Sequence, residues 1–317
     1  YRKWVSYELL RKRSRKENVK AGEPLRGIGI STAFQGNGFI NKNFGGDCTV
    51  ELTMEKNGNL EIKTSLASTA GGLLGPGYLN NWQILARDIL GVEPEYVKLI
   101  CNTTEAPDSG PGTLSRNIFS VTKLVERCCT AIRKQRTKDP LPITVRRSEK
   151  PGKTPVHLQD KNIEPEALAN PSWASAVAEI EIDPVSLEPI IRGIWFVVDG
   201  GKIINKQRAC RCLKTGIIHA LGWTCREFIR YENGKIPVEY YRNYDIAATE
   251  EIPPIELGFI NNDSPNSKGI GELPFNCLPA AYVQAVSQAM DHHFERIPLD
   301  VREIWDAWRL KNTESPE

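Results

Sequence analysis

The sequence predicts an α+β fold with mixed sheets and packed helices arranged in two lobes, and three observations carry that expectation. Segments with period-two alternation and segments with helical spacing interleave without a regular strand–helix–strand rhythm. The chain has 317 residues, more than one small core requires. Near its middle, residues 137–172 are rich in proline, lysine and polar side chains, the composition of a long connection. The lobes are therefore expected over 1–136 and 173–317, with 137–172 between them.

Each element has its own signal. Residues 1–20 read as a basic helix, with Arg11, Lys12, Arg13, Arg15, Lys16 and Lys20 giving a positive, solvated face. Thr49–Met54 and Leu60–Lys63 alternate around Asn57-Gly58, a hairpin signal because that pair tolerates positive φ angles. Leu79, Trp82, Leu85, Ala86 and Ile89 share one side of a helix over 79–90 that ends at Gly91. A strand follows at 97–100, then a helix over 114–136 with Ile118, Val121, Val125, Cys128 and Ile132 in phase. Residues 176–182 and 190–198 read as paired strands. Helices are expected near 208–222, from Pro279 to about 294, and over 300–310, where Asp300 and Glu303 take the positions of a capping box.

Bulk composition excludes several classes. Charged residues make up 25% and hydrophobic residues 40%, and the net charge is +2, so neither nucleic acid nor a membrane surface is an expected partner. No apolar run approaches the roughly 20 residues of a membrane span. The eight cysteines are scattered without a CxxC pair, which fits reduced thiols in a cytoplasmic protein better than a zinc or iron–sulfur site.

The chemistry-bearing segments are loops. Lys268-Gly269-Ile270-Gly271-Glu272 places a single carboxylate at the end of a glycine-loosened turn, a candidate general base. Gly71–Gly77, with Gly75-Pro76-Gly77 at its end, runs into the 79–90 helix. Pro107–Arg116 runs into the 114–136 helix and offers Ser109, Gly110, Thr113, Ser115 and Arg116. Both loops end where free N–H groups and a positive dipole end suit an anion, although N-capping alone explains such composition too. Neither is a Walker or Rossmann fingerprint. A third loop, Asp199-Gly200-Gly201-Lys202-Ile203-Ile204-Asn205, leads into a helix carrying His219, which by default is a hydrogen-bonding core residue.

These loops, in this order, resemble the molybdopterin-binding subunit of the xanthine dehydrogenase/aldehyde oxidase family, specifically the C-terminal region of the molybdenum-hydroxylase large subunit. The resemblance runs from about Gly27 to Pro298. Arg26–Ile30 resembles the opening strand of the family's second cofactor-binding lobe. Gly75-Pro76-Gly77 resembles its Gly-Gln-Gly loop, Pro107–Arg116 its pterin loop, Asp199–Asn205 its Asp-x-Gly-x-x-Ile-Asn turn, and Lys268–Glu272 its Lys-Gly-x-Gly-Glu motif.

The resemblance implies an oxidoreductase that hydroxylates an electrophilic carbon of a heterocycle or aldehyde with water as oxygen source. Glu272 would be its catalytic base. Gly75, Gly77, Ser109, Gly110, Thr113, Ser115, Arg116, His219, Lys268, Gly269 and Gly271 would hold the cofactor. That cofactor would be molybdenum–molybdopterin, in its plain or cytosine dinucleotide form. Iron–sulfur clusters and FAD would sit on partners: an iron–sulfur subunit, a flavin subunit and the N-terminal half of the molybdopterin subunit. The chain would be one piece of a split subunit or a domain of a longer one, active only with those partners. Pro76 stands where the family carries glutamine, and His219 and Cys210-Arg211-Cys212 replace glutamine-bearing positions. The alternative is therefore a non-catalytic scaffold of the same fold that has lost the cofactor.

Overall fold

The computed structural model describes residues 24–38, 47–65, 78–101, 104–110, 112–113, 115–150, 171–229, 231–237, 244–260 and 263–313. The basic helix expected over 1–20 and the Gly71–Gly77 loop lie outside them.

The first sheet grows from the expected hairpin. Strand β2 (Cys48–Met54) pairs antiparallel with β3 (Leu60–Lys63), and Gly58 turns the chain at φ +84°. Helix α1 (Tyr78–Leu90) carries the chain over the sheet to β4 (Val97–Ile100), which runs parallel to β3. A π-helical turn at Asn117–Val121 then leads into α2 (Thr122–Gln135). Strand β5 (Ile143–Glu149) closes the order β4-β3-β2-β5. Helices α1 and α2 pack Trp82, Leu124, Cys128 and Ile132 on Val50, Leu52, Leu60 and Ile62. Each aliphatic side chain so buried stabilises by about 1.5–3 kcal/mol.

The second sheet joins β1 (Leu25–Gln35) to β6 (Ser172–Ile182), β7 (Pro189–Asp199) and β8 (Ile255–Phe259), in the order β1-β6-β7-β8. Only β8 runs parallel to its neighbour. One face is covered by α3 (Lys206–Cys225) and α4 (Leu273–Met290), with α5 (Val301–Thr313) at the far end of α4. Asp300 caps α5 by accepting the Arg302 N–H at 3.0 Å.

The edge strand β1 is held by α4. Ile28 and Ile30 donate their N–H groups to the side-chain oxygens of Gln288 (2.7 Å) and Gln284 (2.6 Å). Those amides would otherwise be the unpaired edge of the sheet. The approach is close enough that a Cβ on Gly27 or Gly29 would lie 1.9 Å from the carbonyl oxygen of Ala285 or Ala281.

Two expectations change. The sheets do not divide the chain at 137–172. Strand β1 belongs to the second sheet, and β5 lies within the supposed connection. Its prolines flank the strand rather than interrupt it, and Ile143 and Val145 alternate inward with outward Thr144 and Arg146. Helix α4 begins at Leu273, not near Pro279. Pro274 occupies the first turn, where no N–H is required, and Pro279 is buried within the helix.

Candidate active site

The loop between β7 and α3 and the loop before α4 are zipped together. Lys202 N–H donates to the Asn266 carbonyl and Lys268 N–H to that of Gly200, each at 3.0 Å. The Ser267 hydroxyl donates to the Lys202 carbonyl at 2.7 Å. Lys268 Nζ reaches Asp199 Oδ2 at 3.2 Å and the Pro171 carbonyl at 3.1 Å. Two motifs far apart in sequence thus form one unit, with Lys268 committed to holding it.

Gly269 continues that unit against the first lobe's loop. Its N–H donates to Asn37 Oδ1 at 2.6 Å, and its carbonyl accepts from the Ser172 hydroxyl, which also accepts from Asn37 Nδ2 at 3.0 Å. A Cβ on Gly269 would lie 2.0 Å from Ser115 Oγ. Ser115 itself has φ +56°, a left-handed conformation that L-residues other than asparagine and aspartate rarely adopt. Close backbone contact there requires glycine on the facing loop.

Glu272 stands at the N-cap of α4, exposed on the cleft. Its backbone is fixed by Gln35 at the end of β1. Gln35 Oε1 accepts the N–H groups of Glu272 (3.0 Å) and Leu273 (3.1 Å), while Gln35 Nε2 donates to Ser115 Oγ at 3.2 Å. Gln35 is 3% exposed, so these bonds form away from water and satisfy two of the free N–H groups at the helix start.

The resulting cleft, about 820 Å³, lies between the lobes. Its wall includes Thr113, Ser115, Lys268, Gly269, Gly271 and Glu272 from the sequence reading, joined by Gly112, Asn81, Asn117, Lys202, Asn205, Arg208, Arg211, Cys212 and Thr215. The lobes are tied across it by Lys202 Nζ to Glu126 and by Asn205 to Asn80, at 2.6 and 2.7 Å. The π-helical turn widens the entry to α2 and keeps Asn117 on the wall while Thr122 accepts from Trp82 Nε1 at 3.0 Å. Burial pushes up the pKa of the Tyr78 phenol, partly offset by a hydrogen bond with the Asn117 amide, and burial likewise pushes up the Cys212 thiol.

Other expected site residues serve elsewhere. Ser109 is buried and donates to the Thr49 carbonyl at 2.7 Å. Arg116 is buried, with its guanidinium against Gly110 and on the Ser109 carbonyl at 3.1 Å. Their polar groups brace the loop, so neither lines the cleft, nor does Gly110. His219 is half-buried on α3, one turn beyond the last lining residue of that helix, Thr215. Gly75 and Gly77 lie outside the described residues. Sequence reading missed Gln35 and Asn37, although two amides directly after a glycine-bearing apolar strand were the available signal.

A family profile described as "Molybdopterin cofactor-binding domain" matches residues 1–139 and 146–253. The chain belongs to the molybdopterin cofactor-binding domain family. This is the assignment its five motifs implied within the xanthine dehydrogenase/aldehyde oxidase family. The domain is 22% identical over 140 residues, 43% of this chain, to a probable xanthine dehydrogenase subunit from Bacillus subtilis (strain 168). It is 28% identical over 116 residues, 35% of this chain, to the nicotine 6-hydroxylase large subunit of Paenarthrobacter nicotinovorans. Those alignments span 19% and 14% of the two relatives.

Quinoline 2-oxidoreductase from Pseudomonas putida 86 has the same fold, with a TM-score of 0.76 at 19% identity. So does CO dehydrogenase from Oligotropha carboxidovorans, with a TM-score of 0.77 at 16% identity. Each superposition covers 99% of this domain but only 45% and 44% of the neighbour's chain.

The residues of the cleft fit a molybdopterin. Hydroxyls from Thr113, Ser115 and Thr215 and cations from Lys202, Arg208 and Arg211 match a hydrogen-bonding, phosphate-bearing ligand. In the same wall, the buried side-chain oxygens of Asn81 and Asn117 accept no hydrogen bond from the described residues. The N–H groups of a pterin supply donors of the kind those oxygens lack. Among the described residues no group of three or more His, Cys, Asp or Glu side chains is placed to hold a metal ion.

Proposed function

We propose that this domain is part of a molybdenum hydroxylase that oxidatively hydroxylates an electrophilic carbon of a heterocycle or aldehyde, with Glu272 as general base. The observation carrying this reading is that Glu272 is the one carboxylate among the described residues lining the cleft. When bound, the cofactor would supply the redox chemistry. The chain supplies position and proton handling. Gln35 holds the Glu272 backbone, leaving the side chain free to take on its carboxylate oxygen the proton lost by the incoming water oxygen. Thr113, Ser115, Gly269 and Gly271 form the near wall against which the cofactor rests. Lys268, paired with Asp199, orients that wall.

The cofactor form proposed includes the cytosine dinucleotide, because Arg208 and Arg211 extend the cationic wall beyond Lys202. The electrons leave through an iron–sulfur subunit and an FAD-bearing subunit, and the N-terminal half of the molybdopterin subunit completes the site. Eight cysteines held as thiols suit the reducing cytoplasm.

The test uses the complete assembly from its native host, with wild-type chain or Glu272→Gln. The expected result is wild-type molybdenum content and subunit composition with turnover reduced on the order of 10²–10⁴-fold. Normal turnover would remove Glu272 from the role of base. A complete assembly without molybdenum would favour the scaffold reading instead.

A further inference from the structure

A second concavity, about 620 Å³, shares a wall with the cleft: Lys202 lines the cleft, and its ion-pair partner Glu126 lines this groove. It is bounded by Arg127, Thr130 and Lys134 of α2, Arg147 of β5, and Pro265 and Asn266 of the loop before α4. Its size is that of a small-molecule site. Its charge is one-sided. Glu126 is engaged by Lys202 and Lys123 by Glu149, each at 2.6 Å, whereas Arg127, Lys134 and Arg147 form no ion pair with any described residue. Arg147 is the unusual member. Strand alternation puts it on the same side of β5 as the buried Ile143 and Val145, which pack under α2. An arginine turned inward is ordinarily met by an acid. Here it donates to the carbonyl of its neighbour Arg146 at 3.0 Å. Arg127 shares its surroundings. Burial pushes the Cys128 thiol up to about 12, and the Arg147 and Arg127 guanidiniums both oppose that rise, so the two like charges are neighbours.

Two guanidiniums with no carboxylate beside them repel, and an oxyanion that accepts from both relieves the repulsion. A concavity lined by one sign of charge also concentrates counter-ions. Arg127 and Lys134 lie two turns apart on α2, about 10 Å along its axis, a separation that two linked anionic groups fit better than one. We propose that this groove is a binding site, separate from the cleft, for a small molecule that carries a diphosphate. Arg127 and Arg147 grip one phosphate and Lys134 meets the other. The occupant also touches both lobes, because Pro265 and Asn266 belong to the loop before α4. The Asn266 carbonyl accepts the Lys202 N–H, and Lys268 follows two residues later, so occupation braces the junction that carries Lys268 and Gly269. Nothing in this assignment depends on the hydroxylation chemistry of the cleft.

The experiment titrates inorganic pyrophosphate, and then ADP, into the tagged chain purified from its native host with its partners attached, by calorimetry in EDTA at low salt. The chain is wild type, Arg127→Gln, Arg127→Gln/Arg147→Gln, or Arg133→Gln. Arg133, exposed on α2 and outside the groove, is the control. Wild type and Arg133→Gln are expected to bind pyrophosphate at one arginine-dependent site per chain, with a raised melting temperature. The double variant is expected to keep its subunit composition and ligand-free melting temperature but bind at least about tenfold more weakly. Arg127→Gln alters an exposed position, is expected to weaken binding several-fold, and carries the test if the double variant does not fold. ADP binding tighter than pyrophosphate, by a margin lost in the variants, supports a nucleotide as occupant. Equal affinities support recognition of the diphosphate alone. Absence of arginine-dependent binding to wild type, or equal binding by the folded double variant, would overturn the proposal. Binding seen only after the cofactor is stripped from the assembly would overturn it too, by making the groove an arm of the cleft.

Discussion

Gly269 and Ser115 meet where backbone geometry and chemistry coincide. A methyl at position 269 would overlap the Ser115 hydroxyl, so one loop must retreat. Gly269→Ala is expected to destabilise by about 2 kcal/mol, within the range for disrupting a tight backbone contact, and to lower cofactor occupancy. Thermal melting and molybdenum analysis of the assembled complex check both. Glu181 makes a contrasting case away from the cleft. Arg192, with help from Arg26, holds its carboxyl below the ordinary value of 4.5. A carboxylate whose pKa falls on folding contributes stability that is complete above its unfolded value and lost as pH drops through the folded one. Glu181→Gln is therefore expected to show a shallower loss of stability below about pH 4.5 than wild type, seen in urea melts across pH. Both arginines are more than half exposed, so the cost at neutral pH is about 1 kcal/mol or less.

Helix α4 does three tasks for its neighbours: it presents Glu272 at its start, fills the second core along its length, and closes the edge of β1. Replacing Gln284 and Gln288 together with alanine leaves the Ile28 and Ile30 N–H groups without acceptors. A loss of roughly 1 kcal/mol per bond is expected, with faster hydrogen exchange confined to β1. The hairpin at Gly58, α1, α2 and the β6–β7 pair were legible in the sequence because their signals are local: a turn dipeptide, or apolar spacing within one element. The start of α4 was not. Pro274 and Pro279 both satisfy the rule that proline suits a first turn, and only burial of the Pro279 ring inside the helix decides between them. Strand β5 was masked by its flanking prolines. The roles of Gln35 and Asn37 depend on partners more than 230 residues away, beyond the reach of any local pattern.

At the scale of the molecule, the cleft is walled by both lobes, with Asn81 and Asn117 on one side and Lys202 and Glu272 on the other. A ligand touching both walls couples their unfolding. Calorimetry is expected to show one sharper transition for the cofactor-loaded assembly than for the apo assembly, raised in proportion to the logarithm of ligand excess. Two separable transitions at saturating cofactor would contradict that coupling. The five motif segments, four loops and the start of β1, foretold the cofactor class, while the distribution of roles among their residues required the folded chain, since Ser109 and Arg116 turned inward and brace their own loop. The bond from Gln35 to Glu272 also sets an order of events during synthesis. As the chain leaves the ribosome, β1 emerges before the helix that shields its edge and the glutamate that it anchors, which lies 237 residues beyond Gln35. Until α4 appears, the cleft lacks a wall, so cofactor loading follows synthesis of that helix, and a chain stalled before Leu273 leaves β1 open to self-association.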